Sequence, residues 1–105
     1  MNARSSSETP FSQALQALAN PGKLHIIWHL RHYTPLRYGT LHGLVPELDD
    51  KKLSRLLKEM TEDRLLYRTE DPQNSRRIEY TVPPTPFGRR LVAVAESLHE
   101  WSELF

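Results

Sequence analysis

Mainly α with one small β-hairpin is the fold class that this 105-residue sequence predicts, from three observations. Apolar residues recur at helical spacing in four successive stretches of the first 64 residues. Around "LLYRTE" and "RRIEYTV" the composition turns β-branched and aromatic, on either side of the turn-rich "DPQNS". Beyond Pro83-Pro84, one continuous apolar stripe at helical spacing runs to Phe105.

Each element has its own local reason. "MNARSSSETP", residues 1–10, lacks any apolar core and reads as a disordered tail, not a signal peptide, leaving a single domain over 11–105. Phe11, Leu15 and Leu18 fall at i, i+4, i+7, a first helix that Asn20-Pro21-Gly22 halts. A second, strongly apolar helix from Lys23 to about His32 carries Leu24, Ile26, Ile27, Trp28 and Leu30, and Thr34-Pro35 breaks it. A short third helix, roughly Arg37 to Leu44, turns Tyr38, Leu41 and either Leu44 or Val45 inward, and Gly43 and Pro46 close it.

The fourth helix begins at "DDKKLSRLLKEM" and runs to about Arg64. Asp49 suits the N-cap and Asp50 the first turn, where the helix dipole favours negative charge. Leu53, Leu56, Leu57 and Met60 cluster within an arc of about 100°, with Lys51, Ser54, Arg55 and Lys58 opposite. The two strands then form a hairpin with a loop of about five residues. Thr85 caps a last helix with Pro86 at its first position, and its stripe is Leu91, Val94, Ala95, Leu98, Trp101 and Phe105.

Composition excludes several classes of function. There is no cysteine, hence no disulfide, thiolate ligand or thiol chemistry. No run approaches the roughly 18 apolar residues of a membrane span, so the expected location is the cytoplasm. No glycine-rich phosphate loop, nucleophile turn or convergent acid–base pair is present, so neither catalysis nor a cofactor is expected. His25, His29 and His32 share one stripe of the second helix, but no cysteine or carboxylate on that helix completes a metal site, and a polar flank near a partner or cleft explains them. Capping explains Asp49 and Asp50 without a metal beside Glu47. Trp28 and Trp101 read as core or interface residues, with a ligand platform as the lesser alternative.

Net charge is only +1, so its distribution is what informs. Residues 51–90 hold ten bases against six acids, whereas 91–105 hold three acids and no base. Three helices, a hairpin and charge gathered on the last of those helices and the hairpin make a winged helix. In that fold the third helix of the triad enters the DNA major groove and the hairpin reaches the adjacent backbone. The recognition helix is then about 50–64 and the wing about 71–77. Ser54 and Arg55 are the candidates for base edges, Lys51, Lys52 and Lys58 for phosphates. Arg37 and Tyr38 would grip the backbone, and Asn74, Ser75, Arg76 and Arg77 form the wing. The rival reading is a winged helix that docks onto another protein without reading DNA, which Glu59 and Glu62 beside the basic face keep open.

The chain also resembles the HxlR-type winged-helix transcriptional regulators of bacteria, relatives of the MarR-like repressors. The resemblance covers residues 9–103 and rests on "TPFSQALQAL", "GKLHIIWHL", "TPLRYGTL", "PELDDKKLSRLLKEMTEDRLLYR", "RRIEYTV" and "TPFGRRLVAV", in the family's order. It implies a homodimeric regulator that binds double-stranded DNA near a promoter and pairs through its first and last helices. Phe11, Leu15, Leu18, Leu91, Val94, Leu98, Trp101 and Phe105 are the matching positions. It leaves operator and effector open. Three departures stand out. Members commonly carry a sensing cysteine where Thr9 stands here, which excludes thiol sensing. The family's glycine near the end of the recognition helix is Arg64, so a different helix-to-strand turn is expected. Pro83-Pro84 lengthens the link to the last helix.

Overall fold

The structure, a computed structural model, describes residues 9–105, apart from the side chains of Ser75 and Arg76. Helix α1 spans Pro10–Ala17, and the Thr9 hydroxyl accepts the Ser12 N–H at 3.0 Å. Thr9 and Pro10, expected in the tail, are therefore the cap and first residue of this helix. Helix α2 spans Pro21–His29, with the Asn20 side chain accepting the Gly22 N–H at 2.9 Å. It starts two residues before the expected Lys23 because Asn-Pro serves as cap and first residue as well as separator. It also stops three residues before His32, in a turn that ends at Tyr33 with φ 62°.

Two residues, Leu36–Arg37, then form strand β1, and helix α3 spans Tyr38–Leu44 with Arg37 as its cap position. Helix α4 spans Asp50–Glu62, strand β2 Tyr67–Asp71, strand β3 Asn74–Thr81 and helix α5 Pro86–Ser102. The sheet is antiparallel with the order β1-β3-β2, so the hairpin has a third strand that the sequence reading missed. Leu36 pairs with Tyr80 and Arg37 with Glu79, which ties the start of α3 to the hairpin. The hairpin turn is Pro72-Gln73, not five residues, and Asn74 to Arg77 already belong to β3.

The core lies where α2, α3 and α4 meet the base of the sheet and the first half of α5. Ile26 and Ile27 of α2, Leu30 at its C-cap, Leu41 of α3, and Leu53, Leu56, Leu57 and Met60 of α4 are almost wholly buried, with Val82, Val92 and Ala95 closing the far side. Gly22 permits this close approach: a Cβ there would stand 2.7 Å from Leu56 Cδ1 and 3.1 Å from Leu48 Cδ2. Leu91 faces the same core at 8% exposure, so it leaves the stripe assigned to dimerisation, and Leu18 is half-buried against the core. Gly88 sets the entry of α5. A Cβ there would lie 1.7 Å from the Pro83 carbonyl oxygen, so the Pro83-Pro84 link and the first turn of α5 pack backbone to backbone.

Helix α4 ends at Glu62, two residues short of Arg64, in a closed cap. The Leu65 N–H donates to the Met60 carbonyl at 2.8 Å and the Arg64 N–H to that of Thr61 at 3.1 Å, while Leu65 and Met60 bury together. This is the Schellman arrangement, whose pivotal residue takes a left-handed backbone and is usually glycine. Arg64 occupies that pivot at φ 63°. The turn therefore keeps the conformation a glycine would adopt, contrary to the expected change, and a Cβ-bearing residue carries its strain. Arg64→Gly should stabilise the fold by about 0.5–1 kcal/mol, the relief of left-handed strain less the added unfolded-state entropy of glycine. Thermal unfolding should show a midpoint a few degrees higher; a lower midpoint would mean that the guanidinium makes a compensating contact.

Candidate nucleic-acid interface

Burial of the leucine face leaves α4 one outward face. Lys51, Lys52, Ser54, Arg55 and Lys58 are all exposed along it. Its N-terminus is fixed twice. The Asp49 carboxylate accepts the Lys52 N–H at 2.8 Å, and the Tyr38 hydroxyl donates to the Asp50 carboxylate, with the Asp50 carbonyl 3.1 Å away. The Ser54 hydroxyl donates to the Tyr38 hydroxyl at 3.3 Å. The bond to Asp50 is the main reason that the Tyr38 phenol is held above its ordinary range, with Ser54 acting in the opposite sense. Tyr38, expected to touch the DNA backbone, thus also braces the start of α4.

Of the two acids beside this face, Glu59 is already occupied. Glu59 Oε2 lies 3.5 Å from the Nζ of Lys23, a nearly buried lysine that also donates to the Ala17 carbonyl at 3.3 Å. Glu59 Oε1 lies 3.9 Å from Arg55 Nε, one helical turn away. Glu59 therefore answers one charge inside the fold and one on the outer face.

The sheet supplies the flank. Arg37 is exposed at the junction of β1 and α3, and it lines a groove with Tyr38, Thr40, Ile78 and Tyr80. A second groove, between α4 and the sheet, is lined by Ser54, Lys58, Thr61, Glu62, Arg68 and Tyr80, among others. Tyr80 belongs to both, so Arg37 and Lys58 stand on one continuous surface. Arg68 is a residue the sequence reading missed. It pairs with Glu70 at 3.3 Å, and only the sheet's placement against α4 reveals that it borders the basic face. In the hairpin, Asn74 and Arg77 are exposed and Arg77 lies 3.8 Å from Asp71. The side chains of Ser75 and Arg76, assigned to the wing, lie outside the described residues.

Elsewhere, large apolar side chains of the first and last helices are exposed. Phe11 and Leu15 of α1, and Val94, Leu98, Trp101 and Phe105 at the other end of the chain, are between 43% and 89% exposed. Leu104, not foreseen, joins them at 82%.

With this geometry in view, residues 17–105 match the profile of the HxlR-like helix-turn-helix family. The chain belongs to that family. Its members are DNA-binding transcriptional regulators and not enzymes. A chain of similar sequence is BH0655 of Halalkalibacterium halodurans, an uncharacterized HTH-type transcriptional regulator. It is 33% identical over 94 residues, which are 90% of this chain and 81% of that one. In fold, the chain is similar to a regulator assigned to the MarR family from Porphyromonas gingivalis W83, at a TM-score of 0.80, with 24% identity and 92% of each chain covered. It is also similar to MepR of S. aureus, solved in complex with DNA, at a TM-score of 0.68 and 22% identity, over 88% of this chain and 67% of that one.

In this HxlR-like chain the joint between α2 and α5 carries His25, His29 and His99. Trp28 stacks on His99 with ring centroids 4.1 Å apart, and the Arg31 guanidinium carbon lies 3.8 Å from the centre of the indole ring. His25 pairs with Glu47 at 3.7 Å, and the pKa of His29 is lowered first by burial, then by Arg31 and His25. Among the described residues no three metal-ligating side chains come together. Nor, among them, is any helix long and apolar enough to cross a membrane.

Proposed function

We propose that this chain is a sequence-specific transcriptional regulator that acts as a homodimer, with α4 in the DNA major groove and the β2–β3 hairpin on the neighbouring backbone or minor groove. One observation carries the reading. The exposed face of α4 bears Lys51, Lys52, Ser54, Arg55 and Lys58, while the opposite face is locked into the core. MepR, which shares this fold, is solved in complex with DNA, and that supports DNA as the partner. The engagement of Glu59 by Lys23 and Arg55 favours DNA over the protein-docking rival.

Arg55 is the residue assigned to a base edge. Its contact with Glu59 is made through Nε and leaves the two terminal nitrogens for guanine O6 and N7. Arg55→Ala should cost about 1–3 kcal/mol on the preferred duplex and relax selectivity at one base pair of each half-site. Lys58→Ala should weaken all duplexes about equally and make the slope of log affinity against log salt shallower by about one unit. Titrations on the operator and its single-base substitutions separate the two. A uniform loss for Arg55→Ala makes it a phosphate contact; no change on any duplex returns the protein-docking rival.

Dimerisation would cover Phe11 and Leu15 of α1 together with Val94, Leu98, Trp101 and Phe105, an apolar surface unusual for a small monomer. Sedimentation at micromolar concentration should therefore give about twice the chain mass. A monomer that stays monomeric on DNA rules the pairing out.

A further inference from the structure

Hydroxyl groups at a DNA interface are usually ambiguous, because each can donate or accept. Here the ambiguity is removed. The Tyr38 hydroxyl has one proton and stands against the Asp50 carboxylate, which can only accept, so the proton lies on that contact. The 3.3 Å contact between Ser54 Oγ and Tyr38 Oη can then be made in only one direction, with Ser54 donating. Ser54 thereby commits its own single proton. Both hydroxyls are left with lone pairs alone, and Ser54 is exposed on the face of α4 assigned to the major groove.

We infer that Ser54, oriented by Tyr38 and Asp50, is an acceptor-only reading group that selects a base carrying a major-groove amino group. On the strand it faces it takes adenine or cytosine and rejects guanine or thymine. The amino groups in question are adenine N6 and cytosine N4, while guanine O6 and thymine O4 in the same part of the groove can only accept. Two acceptors facing each other leave both unpaired in a desolvated contact, which is the source of the rejection. Tyr38 is a positioning residue in this scheme, not a reader. The inference rests on the placement of α4 in the major groove proposed above.

The test is a selection of duplexes from a random pool by the wild-type protein, Ser54→Ala and Tyr38→Phe. The wild type should show one position in each half-site restricted to adenine or cytosine. Ser54→Ala should lose that restriction and keep the others. In Tyr38→Phe the serine proton is released, so guanine and thymine should be admitted at that position alone. A chemical control removes only the amino group, by replacing the selected adenine with purine or the selected cytosine with pyrimidin-2-one. That change should cost the wild type roughly fivefold in affinity and Ser54→Ala nothing. An equal loss in both proteins, an unrestricted position, or a Ser54-dependent preference for guanine or thymine overturns the inference. A wild type that binds duplexes without selecting any sequence overturns the placement of α4 as well, and the two failures are told apart by whether the other positions are still selected.

Discussion

Burial of Leu53, Leu56, Leu57 and Met60 fixes the rotation of α4 about its own axis, and the candidate interface depends on that rotation. Each of these side chains is at most 1% exposed. At about 1.5–3 kcal/mol for each fully buried side chain, the four contribute on the order of 6–12 kcal/mol, an upper estimate comparable to the whole stability of a small domain. A helix slipped by one residue turns by about 100° and forfeits most of that. Lys51, Ser54, Arg55 and Lys58 face outward because no other rotation is affordable, whether or not each of them touches DNA.

Further contacts convert this rotational constraint into a positioned helix. Tyr38 holds the N-terminus through Asp50, and β1 ties Tyr38 in turn to the hairpin through the pairing of Arg37 with Glu79. Gly22 lets Leu56 press against α2, and Lys23 reaches Glu59 from the first turn of α2. The cap at Arg64 stops the helix and turns the chain toward β2. Helix α4, helix α3 and the hairpin are therefore joined by direct contacts.

Much of this was legible in the residues. Period and composition located every helix, and the split of α4 into leucine and lysine faces follows from spacing alone. What could not be read shares a physical cause: it depends on contacts between distant segments. Strand β1 is two residues long and exists only because β3 supplies its partner. The hairpin loop shortened because pairing extended to Asp71 and Asn74, although both are turn formers in isolation. Leu91 shares a stripe with Val94 and Leu98, and only the position of the core separates it from them. Arg68 and the relay from Ser54 through Tyr38 to Asp50 join residues 12 to 16 positions apart or on different elements, for which no local pattern exists. Arg64 is the reverse case: the absent glycine suggested a changed turn, yet the cap's hydrogen bonds and the Met60–Leu65 contact impose the left-handed backbone regardless of side chain.

The most direct measurement is an amide chemical-shift titration of the intact protein with short duplex DNA at low salt. If α4 presents its basic face to DNA, shifts concentrate on residues 50–58, on Arg37 and Tyr38, and along the hairpin near Arg77. The amides of Val94, Leu98 and Trp101 stay unmoved. Shifts confined to the apolar half of α5 and α1, with α4 silent, would contradict the assignment of the DNA-binding face.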